Sequence, residues 1–148
     1  MALFIGSFNP PTLAHLNIAL SLKKCFHKII FIPVNSKSKE LVNYKHRVNM
    51  LSIYKKKYSF IEIDEIMKNY SYFDYRILDI LNKKYHDNNV IIGGDLLKNL
   101  KYFDNYEYLL ENYIFYSFDL IELNNNCQKD HSIFHIPHLL IADLNHNH

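Results

Sequence analysis

Glycine is scarce in this chain, with three in 148 residues, and two of them, Gly93 and Gly94, are adjacent. That leaves no Gly-x-Gly-x-x-Gly loop, so a dinucleotide-binding turn of that type is excluded. Cysteine is nearly absent too. Cys25 and Cys127 stand far apart and outside any Cys-x-x-Cys spacing, which argues against a disulfide framework or a thiolate metal site. Both read as free thiols, with Cys25 in or just after a first helix. No apolar run reaches 18 residues and no basic segment precedes the apolar start, so neither a membrane span nor a signal peptide is expected. Charge of one sign is missing as well: the formal net charge is +2, with both signs spread along the chain, which gives no ground for a nucleic-acid or membrane partner. With no Pro/Gly/Ser-rich linker and 49% hydrophobic residues, residues 1–148 are expected to form a single cytoplasmic domain around one substantial core. These readings leave the oligomeric state open.

What is present is an alternation. Strand-like runs at 2–5, 29–33, 60–63, 89–92 and 113–118 are each separated by a stretch long enough for a helix. A sixth is expected around 139–141. Leu16, Ala19, Leu20 and Lys23 follow a helical spacing, as do Val48, Leu51 and Lys55 after Arg47, while Ile77, Leu78 and Leu81 mark a third helix ending near Lys84. The near-continuous apolar runs at 29–33 and 90–92 suit strands covered on both faces. The expected fold is therefore α/β, an open doubly wound parallel sheet with right-handed crossovers. In such sheets ligands collect beyond the carboxyl ends of the strands, where segments 6–15 and 93–95 emerge.

The first of these segments carries the chemistry. Gly6-Ser7-Phe8-Asn9-Pro10-Pro11-Thr12-Leu13-Ala14-His15 joins an apolar strand to a helical pattern. Gly6 is read as letting the backbone turn and a ligand approach, Pro10 and Pro11 as fixing φ and keeping the turn from continuing into either flanking element, and Thr12 as an N-cap. His15 then falls in the first helical turn, among free N–H groups that favour an anion. Asp95, behind the glycine pair, has two readings: acceptor for both ribose hydroxyls, or N-cap of the helix starting at Leu96. Lys37, Lys39 and Arg47 are candidates for phosphate, Arg47 being the fork-like bidentate donor among them; a solvated basic loop is the alternative for the lysines. The histidines at 131, 135, 138, 146 and 148 lack the paired helical spacing of a metal site, so no protein-held metal is expected.

GSFNPPTLAH resembles the GxFxPx(H/T)xxH motif of the nucleotidylyltransferases. Ser36-Lys37-Ser38-Lys39, then Tyr44-Lys45-His46-Arg47-Val48-Asn49-Met50-Leu51, and finally Ile91-Ile92-Gly93-Gly94-Asp95-Leu96-Leu97 are similar to the basic loop, HRxxML helix start and IGxDxL motif of the nicotinate- and nicotinamide-nucleotide adenylyltransferases. The resemblance covers nearly the whole chain. It implies a Rossmann-like nucleotidylyltransferase fold and adenylyl transfer from ATP to a pyridine mononucleotide, with release of pyrophosphate and with Mg2+ brought as the ATP complex. It also implies roles: His15 as the catalytic donor to phosphate, Gly6, Ser7, Phe8, Asn9 and Thr12 shaping the substrate pocket, Gly93 letting substrate come close, and Asp95 holding the ribose. Phe103 takes the position of the aromatic that stacks on the pyridine ring. Tyr72 and Phe73 fall where the family carries Ser-Tyr-Thr, with Asp74 in place of the threonine, a carboxylate expected to repel nicotinate and tolerate nicotinamide. An ISSTxIR-like segment and final helix, which hold the ATP phosphates in that family, are not found before His148, so loose triphosphate binding is expected of the chain as it stands. Two other functions are weighed: transfer to another acceptor such as phosphopantetheine, and a nucleotide-binding protein that has lost catalysis.

Overall fold

Strand β1 (Ala2–Gly6) and strand β2 (Ile29–Pro33) are built mainly from isoleucine, leucine and phenylalanine side chains with almost no solvent exposure, as a strand packed on both faces requires. A computed structural model provides the coordinates, which describe residues 1–35, 43–93, 96 and 99–117, together with the backbone of 133–135. Two compact units divide the chain, Met1–Phe73 and Asp74–His148.

In the first unit, β1 pairs in parallel with β2, in register from Ala2 opposite Ile29 to Gly6 opposite Pro33, and β2 pairs in parallel with β3 (Ile61–Ile63). Helix α1 (Leu13–Leu22) follows β1, and helix α2 (Tyr44–Lys57) connects β2 to β3. Thr12 is the N-cap of α1, as its sequence implied. The side chain of Asn43 caps α2 by accepting from the backbone N–H of Lys45 at 2.8 Å, and Lys55, Lys56 and Lys57 meet the negative end of the same helix. Val48 and Leu51 are buried as their spacing predicts; Arg47 is buried beside them, against its charge.

The second unit repeats the plan. Helix α3 (Tyr75–Tyr85) leads to β4 (Asn89–Ile92), and helix α4 (Tyr106–Asn112) leads to β5 (Ile114–Ser117), which pairs in parallel with β4. A short strand β6 (Ile133–His135) adds to β5; the region expected to supply a sixth strand, 139–141, lies outside the described residues. Ile77, Leu78 and Leu81 form the buried face of α3, and His86 closes that helix in the left-handed conformation. The phenols of Tyr108 and Tyr113 both donate to the carboxylate of Asp79, so one side chain on α3 holds both ends of α4. Cys25 is an exposed free thiol just past α1. No helix among the described residues is long and apolar enough to cross a membrane.

Candidate functional site

The chain leaves β1 through a turn made at Phe8. Its φ of 48° is left-handed, a region that costs a non-glycine residue on the order of 1–3 kcal/mol. Gly6 was expected to make this turn, yet Phe8 makes it instead. What favours glycine at position 6 is space: a Cβ there would lie 3.0 Å from Cζ and 3.1 Å from Cε1 of Phe8. The Phe8 ring folds back over Gly6 and is only 2% exposed. It meets Phe4, Phe31 and His15 edge-on, with centroids 5.3, 5.2 and 5.1 Å away. Aromatic packing on three sides thus over-determines the strained residue.

Asn9 and Pro10 are exposed, joined by a cis peptide bond, and Pro11 is buried. Thr12 then opens α1. Its backbone N–H donates to Nδ1 of His15 at 3.0 Å, and its hydroxyl lies 3.1 Å from the same nitrogen. An Nδ1 that accepts from an amide carries no proton, so the neutral ring holds its proton on Nε2, as a donor. Burial lowers the His15 pKa below its ordinary 6.5. The physical reason is visible: the rings of Phe4 and Phe8 cover the imidazole. His15 is therefore a neutral, oriented N–H donor in the turn where an anion is best received.

Arg47 was expected to offer its fork to nucleotide phosphate. Instead it is 1% exposed, and its guanidinium faces the protein's own backbone. One nitrogen donates to the carbonyls of Ser7 at 2.7 Å and Val34 at 2.8 Å, and the other to Oδ1 of Asn35 at 2.9 Å. The reason is topological: β1 and β2 both end here, and their next carbonyls have no ladder partner left. Asn35 was not anticipated. Its Nδ2 donates onward to the carbonyls of Met67 and Tyr70. The available signal was weak, a lone amide two residues past a buried strand end.

Tyr72 is exposed on the segment that closes the first unit. In the second unit, Gly93 directly follows β4, and Phe103 is half-buried behind the short helical turn of Leu100–Tyr102. Asp74 is the N-cap of α3. Its carboxylate accepts from the backbone N–H of Arg76 at 2.9 Å and pairs with the Arg76 guanidinium at 2.6 Å. Lys37, Lys39, Gly94, Asp95 and the histidines other than His135 in the tail lie outside the described residues. Among those described, no group of three or more His, Cys, Asp or Glu is placed to hold a metal ion.

A family model for cytidylyltransferase-like proteins matches residues 3–143. The chain belongs to that family. A curated relative from Acholeplasma laidlawii (strain PG-8A), named "Probable nicotinate-nucleotide adenylyltransferase", is 32% identical over 126 residues, 81% of this chain and 65% of its own length. The chain thus spans just under two thirds of that relative. Among solved structures, the nicotinic acid mononucleotide adenylyltransferase of Plasmodium falciparum, complexed with APC, matches with a TM-score of 0.67 at 21% identity, covering 91% of this chain and 72% of that one. A structure from Vibrio parahaemolyticus assigned to the same kind of enzyme matches with a TM-score of 0.66 at 22% identity, covering 78% and 71%. These likenesses show the Rossmann-like α/β fold expected from the alternation of strands and helices.

Proposed function

We propose that this cytidylyltransferase-like protein transfers an adenylyl group from MgATP to nicotinate mononucleotide, in the synthesis of NAD in the cytoplasm. The phosphate oxygen of the mononucleotide attacks the α-phosphorus of ATP, the bond from that phosphorus to the bridging oxygen breaks, and pyrophosphate leaves with its electron pair. No covalent enzyme intermediate is needed, so the protein's task is to position two anions and stabilise the charge that develops. The observation that carries the reading is the fixed imidazole. His15 sits on the first turn of α1 with Nδ1 held by the Thr12 amide, which leaves the Nε2 proton for a phosphate oxygen. Ser7, Phe8, Asn9 and Thr12 shape the phosphate side of the site. Asp95 takes the ribose hydroxyls, Phe103 stacks on a ring, and Lys37 and Lys39 meet phosphate. Magnesium arrives with ATP, held by phosphates and water.

Nicotinate is favoured as acceptor on two grounds. Relatives carry that name, and the Asp74 carboxylate, which would otherwise repel the acid, is occupied by Arg76. The test is pyrophosphate release from ATP with nicotinate mononucleotide, nicotinamide mononucleotide or phosphopantetheine, using the parent chain and His15→Ala. Nicotinate mononucleotide should give the highest kcat/KM, and His15→Ala should lower kcat by about 10²–10³-fold with much less effect on ATP affinity. Turnover of the variant within a few-fold of the parent refutes the assignment of His15. Preference for phosphopantetheine refutes the acceptor.

A further inference from the structure

Between the ends of β1 and β2 a continuous run of hydrogen bonds passes through two side chains. It starts at the Ser7 carbonyl, crosses the buried Arg47 guanidinium to Oδ1 of Asn35, and leaves through Nδ2 of Asn35 to the carbonyls of Met67 and Tyr70. The same guanidinium nitrogen that holds Ser7 also holds Val34, whose own N–H donates to the Gly6 carbonyl at 2.9 Å. Beneath it lies the Tyr44 ring, 5.2 Å from the guanidinium carbon. A peptide unit is planar and trans, so its C=O and N–H point in opposite directions. Drawing the Ser7 carbonyl toward Arg47 therefore aims the Phe8 N–H away from Arg47, and fixes the peptide that precedes the strained Phe8. Two residues farther on from Tyr70 stands Tyr72, a candidate for the substrate pocket.

We propose that Arg47 and Asn35 form a positioning brace, which holds the Ser7–Phe8 peptide and the 67–70 segment in the conformation that receives substrate. Neither residue touches the reacting atoms. This role rests on the reaction proposed above, although the brace itself has consequences that can be read without it. A lysine at position 47 could donate to the Ser7 and Val34 carbonyls from its single ammonium group, but it has no second nitrogen to span across to Asn35. A methionine would keep much of the stem and lose every donor.

The experiment uses the full chain with Arg47→Met, Arg47→Lys and Asn35→Ala, and two readouts: steady-state kinetics of pyrophosphate release, and amide hydrogen exchange of peptides covering 6–12 and 66–72. Arg47→Met should lower kcat by up to about 10²-fold with a smaller change in the KM for ATP, the size expected when a catalytic array is displaced by about 1 Å. Arg47→Lys should recover part of the loss. Asn35→Ala should speed exchange in both peptides by about tenfold, the equivalent of one hydrogen bond's net worth. A rise in the KM for ATP with kcat unchanged would overturn the brace and make Arg47 a phosphate ligand. If Arg47→Met does not fold, Asn35→Ala decides the matter: parent-like exchange in both peptides overturns the proposal. If the parent itself releases no pyrophosphate with any acceptor, the proposed reaction fails, and the exchange readout still judges the brace.

Discussion

Gly6→Ala tests whether the Phe8 ring is locked over the strand end. Backbone strain is not the issue, since Gly6 does not have a positive φ and alanine can adopt its conformation. The added methyl carbon would sit 3.0, 3.1 and 3.4 Å from three carbons of the Phe8 ring, so the ring must yield by a few tenths of an ångström. It has little room to do so, being 2% exposed and bounded by Phe4, Phe31 and His15. Overpacking of this kind costs about 1–3 kcal/mol. Against it stands the entropy that alanine removes from the unfolded chain, about 0.4–1 kcal/mol in favour of folding. The net expectation is a loss of up to about 2.6 kcal/mol, or a fall in Tm of up to about 10 °C for a chain of this size. Because the ring also supports the His15 imidazole, kcat for pyrophosphate release should fall about tenfold. A Phe8→Leu background should shrink the Gly6→Ala penalty, which a double-mutant cycle would measure. A Tm above that of the parent, together with full turnover, would show that the ring moves freely and would refute the reasoning.

Two further outcomes follow from titrating groups. His15 should titrate by NMR with a midpoint below 6.5 and its neutral-form proton on Nε2. Its folded pKa lies below the unfolded one, so its contribution to stability is complete above 6.5 and is lost as the pH falls through the folded value; a midpoint at or above 6.5 contradicts the geometry. Asp74→Ala removes the cap of α3 and should cost about 0.5–2 kcal/mol at neutral pH. The paired Arg76 holds the Asp74 pKa below its ordinary 3.8, so the gap between parent and variant should persist down to 3.8 and close as the pH falls through the lower folded value. A gap that does not change with pH would remove the carboxylate from the explanation.

Much of this molecule was legible as local pattern. Strand-like runs at 29–33 and 89–92 became strands with those limits, and Thr12 capped the helix whose first turn carries His15, because strand burial and helix capping depend on residues close together in the chain. The decapeptide from Gly6 to His15 marked a candidate site for the same reason. Tertiary structure alone decided what the side chains there do. Position 6 leaves little space for a side chain because an aromatic ring two residues later lies on it, and that ring is pinned by Phe4, from the strand that precedes it, and by Phe31, from the neighbouring strand. Arg47 looked like a phosphate fork as long as its surroundings were unknown. Burial beside two strand ends brought it within reach of the Ser7 carbonyl, 40 residues earlier, and of Val34 and Asn35. A guanidinium out of contact with water must satisfy its donors with whatever oxygens the fold places around it, and no local pattern states which those are.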